Sequence, residues 1–487
     1  MLASAERKWL ALALLCAVQF MVVLDIAIVN VALPSIQDDL GFSQENLQWV
    51  ISAYALFFGG FLLLGGRAAD LLGRRRVFIG GTILFTLSSL LAGLAWSEAS
   101  LIAARGFQGL GAAVITPAAL SILMTTFAEG KERNTALGAW GGVGAFGAVA
   151  GVLLGGVLTD LLSWEWIFFI NVPVGLIALA LTPLLLGESR DLSVKSFDVP
   201  GAVLVTAGLV ALVFGITQAS DYGWGSGATI GIFLASAALL VGFLVWEMRA
   251  AEPLMPLWIF RIRTVAGANV AGLTLGTAVF AMFLMLTLYM QQVLAYSPMK
   301  TGVAYLAVAG TAIIWSAVAS TLVTRIGVKP VLVAGMTMLT AGLVYFTQVS
   351  VDGAYAADLL PGFLLIAVGL GFSFVSISIA ALAGVRHSEA GLASGLINTS
   401  QQVGGALGVA VLATVATSRT DAATADGSAL PVALTDGFEA AFIVGAAIAF
   451  AGVLVGLFAV RREDLAQTEA EEEGLVLEPA LELDEAA

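Results

Sequence analysis

Cysteine and histidine are almost missing from this 487-residue chain, which has one of each, Cys16 and His387. No intramolecular disulfide can form, and no Cys/His metal centre can be assembled. Charge is scarce too: Asp, Glu, Lys and Arg make up 11% of the residues, against about 25% in a soluble globular domain. The sequence has no G-x-x-x-x-G-K-[ST] phosphate loop, which argues against ATP hydrolysis. No Ser/His/Asp set, metal cluster or paired acids fall within the apolar stretches, which disfavours an intramembrane enzyme. Neither a cofactor nor a nucleic-acid partner is expected.

Apolar residues are abundant instead, at 59% of the chain with a mean hydropathy of +0.98. They gather in runs of the ~20 residues that a helix needs to cross a bilayer. Fourteen runs can be read: near 9–33, 47–66, 77–97, 99–124, 136–160 and 166–186; 199–219 and 227–247; then 265–290, 301–323, 329–349, 359–384, 391–415 and 438–460. In lipid such runs must close their own backbone hydrogen bonds, so the predicted fold is an all-α membrane protein. The first run is too long for a signal-peptide core and reads as a retained span.

The net charge of −13 is concentrated at one end, because residues 463–487 hold ten acids and neither Lys nor Arg. That segment reads as a disordered, solubilising tail. Of 21 basic residues, eighteen fall in loops on one side of the predicted bilayer, Lys300 and Arg419 fall on the other, and Arg105 lies inside a span. Cationic loops mark the cytoplasmic side, so both termini are expected there. His387 falls in one of these loops and reads as a solvated residue.

The stretch Gly66-Arg67-Ala68-Ala69-Asp70-Leu71-Leu72-Gly73-Arg74-Arg75-Arg76 is a short cationic hinge between the second and third spans. A weaker echo, Thr324-Arg325-Ile326-Gly327-Val328-Lys329-Pro330, follows the tenth span. The correspondence implies two six-span halves with two spans inserted between them. The predicted organisation is therefore residues 1–190 for a first six-helix bundle and 191–263 for the inserted pair. Residues 264–462 would form a second bundle, and 463–487 the tail.

Asp25 is the only acid placed deep inside a predicted span, and Arg105 the only cation. A charge at the bilayer centre costs ~2.5–3.5 kcal/mol on insertion scales and marks a substrate or proton path by default. A buried guanidinium needs a partner, and Asp25 is the sole deep acid available to Arg105. On a helix Arg105, Gln108 and Gly109 share a face.

These motifs resemble those of the major facilitator superfamily, in particular its fourteen-span drug:proton antiporter branch. The hinge resembles that family's G-x-L-A-D-R-x-G-R-R/K loop, with Ala68 and Leu71 as departures. Leu24-Asp25-Ile26-Ala27-Ile28-Val29-Asn30-Val31-Ala32-Leu33-Pro34 resembles L-D-x-T-I-V-N-V-A-L-P, and the segment from Arg105 to Gly111 resembles R-x-x-Q-G-x-G. Gly147, Gly151, Gly155 and Gly156 match a glycine-rich helix-packing signature, with Val152 where the family has Pro. Ser163-Trp164-Glu165-Trp166-Ile167-Phe168-Phe169-Ile170-Asn171-Val172-Pro173 resembles S-W-R-W-x-F-x-I-N-V-P, with Glu165 replacing Arg.

The resemblance implies export of lipophilic or cationic drugs in exchange for protons, by a monomer working through alternating access. Asp25 and Arg105 would then couple protons, and Gly66, Asp70, Gly73 and Arg74 would form a latch whose acid contacts the opposite half. Tyr54, Phe57, Gln108, Phe283, Asn398, Gln401 and Gln402 are expected to line the substrate path. Transport of a lipid or metabolite on the same fold, or a non-transporting sensor or scaffold, remain the alternatives.

Overall fold

The computed structural model describes residues 4–127, 131–189, 198–250, 253–383, 385 and 390–460. His387 and the tail 463–487 lie outside them. Fourteen long helices run in chain order: α1 Ser4–Leu40, α2 Trp49–Leu72, α3 Arg74–Gly93, α4 Glu98–Thr126, α5 Lys131–Leu161, α6 Asn171–Leu185, α7 Val199–Tyr222, α8 Gly227–Glu247, α9 Arg263–Leu288, α10 Pro298–Ile326, α11 Val328–Tyr345, α12 Leu360–Ala380, α13 Ala390–Ala425 and α14 Leu430–Phe458. No strand occurs among the described residues. Thirteen of the helical segments are long and apolar enough to span a membrane. Helix α5, whose described apolar part is Val149–Leu161, supplies the fourteenth.

Helices α1 to α6 pack on one another, as do α9 to α14, with α2 against α4 and α9 against α13 as the tightest pairs within each group. Glycine makes these close approaches possible. A Cβ at Gly109 would strike the Tyr54 carbonyl of α2, and one at Gly404 would strike the Leu273 carbonyl of α9. The two groups meet along two seams, α5 with α10 and α2 with α13. The inserted hairpin α7–α8 covers the second seam, because α7 touches both α2 and α13. Gln48 donates to Thr217 Oγ1 at 2.7 Å, and Thr414 donates to the Ile216 carbonyl at 3.4 Å.

The echo between the two hinges has a structural counterpart. Gly73 alone separates α2 from α3 at φ +107°, and Gly327 alone separates α10 from α11 at φ +89°. Both glycines occupy the left-handed region that disfavours any Cβ, so each hinge is a one-residue break between two helices.

Several boundaries extend past the apolar runs. Helix α1 continues through Pro34 to Leu40, α13 continues to Ala425, and α14 starts at Leu430 with Pro431 at its N-terminal turn. The expected starts and stops at 33, 415 and 438 follow hydropathy, which ends where the slab ends, whereas a helix can project beyond it. Arg419 therefore lies on a helix and pairs with Asp436 of α14 at 3.7 Å. Glu439, in the third turn of α14, is partly exposed, whereas Asp25 is 0% exposed.

Candidate functional site

The charged residues of the first group converge where five helices meet. Asp25 of α1 is 0% exposed and Arg105 of α4 is 2% exposed, and Arg105 Nη1 lies 2.6 Å from Asp25 Oδ2. Gln108, one helical turn beyond Arg105, donates to Asp25 Oδ1 and to Ser89 Oγ of α3, both at 2.7 Å. Its own carbonyl oxygen accepts from Arg105 Nη1 at 2.6 Å. Asn171, the first residue of α6, donates to Asp25 Oδ1 at 2.8 Å. Arg105 Nε donates to the Val50 carbonyl of α2 at 2.9 Å. The guanidinium carbon sits 4.4 Å from the centre of the Tyr54 ring and 5.7 Å from that of Phe168.

The local sequence explains this convergence. Gly109 brings α4 against α2, while Gly111 brings it against the Phe85 backbone of α3. With the backbones that close, Arg105 and Gln108 reach α1, α2 and α3 together. Gly147, Gly151 and Gly155 form the matching surface on α5: their missing side chains leave room for Phe20 and Val23, then Leu24 and Ala27, then Ile28 of α1. Asp25 lies within that stretch. Gly156, the next residue, faces Pro298 and Met299 of α10, and Gly302 of α10 faces the Val152 carbonyl. Helix α5 thus lies against both the Asp25 helix and the opposite half. A buried ion pair is retained only when its remaining donors and acceptors are also satisfied. The amides of Gln108 and Asn171 meet that condition, while the Tyr54 hydroxyl is buried at the edge of the cluster without a partner among the described residues.

Two charged residues of the hinge pair with each other. Arg74 donates to Asp70 Oδ1 through Nε at 3.1 Å and through Nη2 at 2.8 Å, and Ser121 Oγ of α4 lies 3.5 Å from the same oxygen. Among the described residues, the acid's partners are its own i+4 neighbour and Ser121 of α4. The one-residue break at Gly73 keeps Arg74 within reach of the turn that carries Asp70. Gly66 faces Pro117 of α4. Beyond Gly73, Glu188 lies 3.9 Å from Arg75 Nε and 3.7 Å from Arg76 Nε.

The residues expected along the substrate path divide between several places. Tyr54 and Gln108 belong to the buried cluster. Phe57 stacks on Phe61 with centroids 6.0 Å apart, and with Trp49, Ala53, Ile102, Gly106 and Val210 it lines an apolar groove of about 280 Å³ between α2, α4 and α7. Phe283 packs on the Tyr305 ring, centroids 5.1 Å apart. Asn398 is exposed and donates to the Ser394 carbonyl of its own helix at 2.8 Å. Gln402 is buried beside Gly59 on the α2–α13 seam, and the Gln401 carbonyl lies against Gly276.

Asn171 and Ser89 were not singled out from the sequence. Asn171 carried a signal, being an amide in an otherwise apolar stretch; Ser89 carried none. Among the described residues no group of His, Cys, Asp and Glu could hold a metal ion.

A bundle of apolar spanning helices, with an ion pair buried among its first six, defines a polytopic membrane protein. The chain belongs to the Major Facilitator Superfamily, whose sequence profile matches residues 15–409. It is 42% identical over 454 residues to the puromycin resistance protein pur8 of Streptomyces alboniger, covering 92% of this chain and 90% of that one. It is also 42% identical over 421 residues to the cephamycin export protein CmcT of Amycolatopsis lactamdurans, covering 85% and 86% of the two chains. Among solved structures, a bacterial homologue of the human lysosomal transporter Spinster matches with a TM-score of 0.66 at 14% identity, covering 95% of this chain and 98% of that one. A peptide transporter bound to sulfate matches with a TM-score of 0.67 at 14% identity, covering 94% and 97%. At such identity these two structures speak for the fold alone.

Proposed function

We propose that this protein exports antibiotics or other lipophilic and cationic small molecules across the cytoplasmic membrane in exchange for protons. It acts by alternating access as a monomer, with both termini cytoplasmic. The observation that carries the reading is the Asp25 carboxylate, sealed from solvent and held by Arg105, Gln108 and Asn171. A proton on Asp25 removes the charge that fixes Arg105 and weakens three contacts linking α1 to α4 and α6. Helix α5, threaded by glycine onto α1 and touching α10, carries that loosening to the seam between the halves. Relatives named for resistance to puromycin and export of cephamycin supply the substrate class.

Ethidium and puromycin efflux from energised cells tests this reading, comparing wild type, Asp25→Asn and wild type with an uncoupler. Loss of efflux both with the uncoupler and in the Asn variant is expected. Uncoupler-sensitive efflux that survives Asp25→Asn would remove Asp25 as the proton site. A second reading, transport of a lipid-like molecule, is favoured by the apolar groove beside Phe57. It predicts movement of labelled phospholipid between leaflets of proteoliposomes in place of ethidium efflux.

A further inference from the structure

The inserted hairpin contains two buried acids that the ion pair of the first bundle does not involve. Asp198 caps the start of α7 and is 5% exposed, and Glu247 ends α8 and is 4% exposed. One oxygen of each carboxyl is well provided with donors. Asp198 Oδ1 accepts from the Gly201 amide at 2.9 Å and from Trp246 Nε1 at 2.6 Å. Glu247 Oε2 accepts from the Met255 amide at 2.9 Å, in the segment leading to α9. The other two oxygens, Asp198 Oδ2 and Glu247 Oε1, are buried without a donor among the described residues. Both are directed at the same place, since a Cβ on Gly201 would collide with each of them. Asp198 Oδ2 and Glu247 Oε1 both lie within 2.8 Å of the position that a Gly201 Cβ would take, so the two carboxyls face one another across that glycine.

Among the described residues no cation neutralises them. Arg249 on the turn after α8, Arg261 in the connecting segment and Arg263 at the start of α9 are all exposed, and Arg263 donates to the Phe458 carbonyl instead. Helices α2 and α13 also pack on α7, and the charged side chains described on them are Arg67 and Asp70, and Arg419 and Asp421. Among the described residues, none of these makes an ion pair with Asp198 or Glu247. Two carboxylates that face one another, buried and without a cation among the described residues, cannot both be ionised. A single proton between the facing oxygens satisfies both, one carboxyl donating and the other accepting.

We propose that Asp198 and Glu247 form a second proton-binding site, a carboxylic acid–carboxylate clasp that ties the base of the α7–α8 hairpin to the segment leading into the second bundle. The clasp holds one proton at neutral pH. Loss of that proton sets two like charges against each other and drives the Glu247 carboxylate, with the Met255 amide that it holds and the neighbouring Leu254, away from Asp198. The site stands apart from Asp25, so it does not depend on the proposed transport reaction.

Leu254 is 5% exposed and can report that movement. In full-length purified protein carrying Cys16→Ser, a Leu254→Cys thiol is alkylated with maleimide at a series of pH values, with Glu247 intact or as Glu247→Gln. The glutamine amide can donate to Asp198 Oδ2 at every pH, so that background supplies the intrinsic pH dependence of the thiol. The rate with Glu247 intact, divided by the rate in the Glu247→Gln background, is expected to rise at least about fivefold between about pH 6 and about pH 9. A flat ratio overturns the proposal. Should the Glu247→Gln variant not fold, infrared difference spectra of wild type against Asp198→Asn decide. A protonated-carboxyl band present at neutral pH and lost in Asp198→Asn supports the clasp, and no such difference overturns it.

Discussion

The two halves share a packing plan but fill their centres with opposite chemistry. In the first, Asp25, Arg105, Gln108, Asn171 and Ser89 form a charged, hydrogen-bonded knot. In the second, the interior is aromatic: Phe363 lies between Tyr305 and Phe346 with centroids 5.4 and 5.7 Å away, and Phe346 also meets Phe442 at 5.5 Å. Aromatic contacts of this kind are non-ionic and change little with pH. A salt bridge in a dry site has two states, paired and protonated, and so can answer to a proton. On the proposed function, the difference gives responsiveness to the first half and a rigid counterpart to the second.

The largest effect should come from separating the charges. Arg105→Ala leaves Asp25 buried without its cation and should cost ~3–5 kcal/mol, the range for breaking a buried pair. Thermal melting of the purified protein would show it, and restoration by adding Asp25→Asn would confirm that the stranded charge is the cause. A neutral effect of Arg105→Ala would remove the contrast between the halves. Next come the glycines that both halves share. Gly109→Ala and Gly404→Ala each drive a methyl into a carbonyl of the neighbouring helix, and overpacking of this kind costs about 1–3 kcal/mol. Similar losses of melting temperature in the two variants would show that the halves differ in chemistry and not in construction. Asn171→Ala should rank alongside them, since it withdraws one donor from a buried carboxylate, at about 1–3 kcal/mol. Its measurable consequence is a smaller stabilising effect of Arg105 in a double-mutant cycle.

Much of this contrast was legible in the sequence, for physical reasons that differ from one residue to the next. Runs of apolar residues announce helices because lipid offers the backbone no other partner. The pairing of Asp25 with Arg105 followed from elimination, each being the deep charge with no other candidate nearby in composition. Gln108 was expected on the substrate path and on the helix face of Arg105, and its side chain is bonded to the ion pair itself. Asp198 and Glu247 gave no warning. Each sits at the end of an apolar run, where a charge is ordinarily solvated, and only the folding of the hairpin onto Gly201 brings them together. The ends of α1, α13 and α14 were misplaced for a related reason, since hydropathy marks the slab and not the helix.

The smallest expected effect lies in the aromatic half, and it tests whether that half is as indifferent as its chemistry implies. The Tyr305 hydroxyl donates to the Phe283 carbonyl at 2.9 Å and lies 3.0 Å from Thr287 Oγ1. Tyr305→Phe removes that hydroxyl while keeping the ring that packs on Phe283 and Phe363. Thr287 stands one helical turn beyond Phe283, so its hydroxyl can turn to the carbonyl that Tyr305 leaves. The loss should therefore stay near 0.5–1.5 kcal/mol, about the net worth of one neutral hydrogen bond. Efflux should keep its wild-type pH dependence, because no charge has been added or removed. A Tyr305→Phe variant that melted normally but shifted the pH profile of efflux would place a proton-sensitive group in the second half, and the division of labour between the halves would fail.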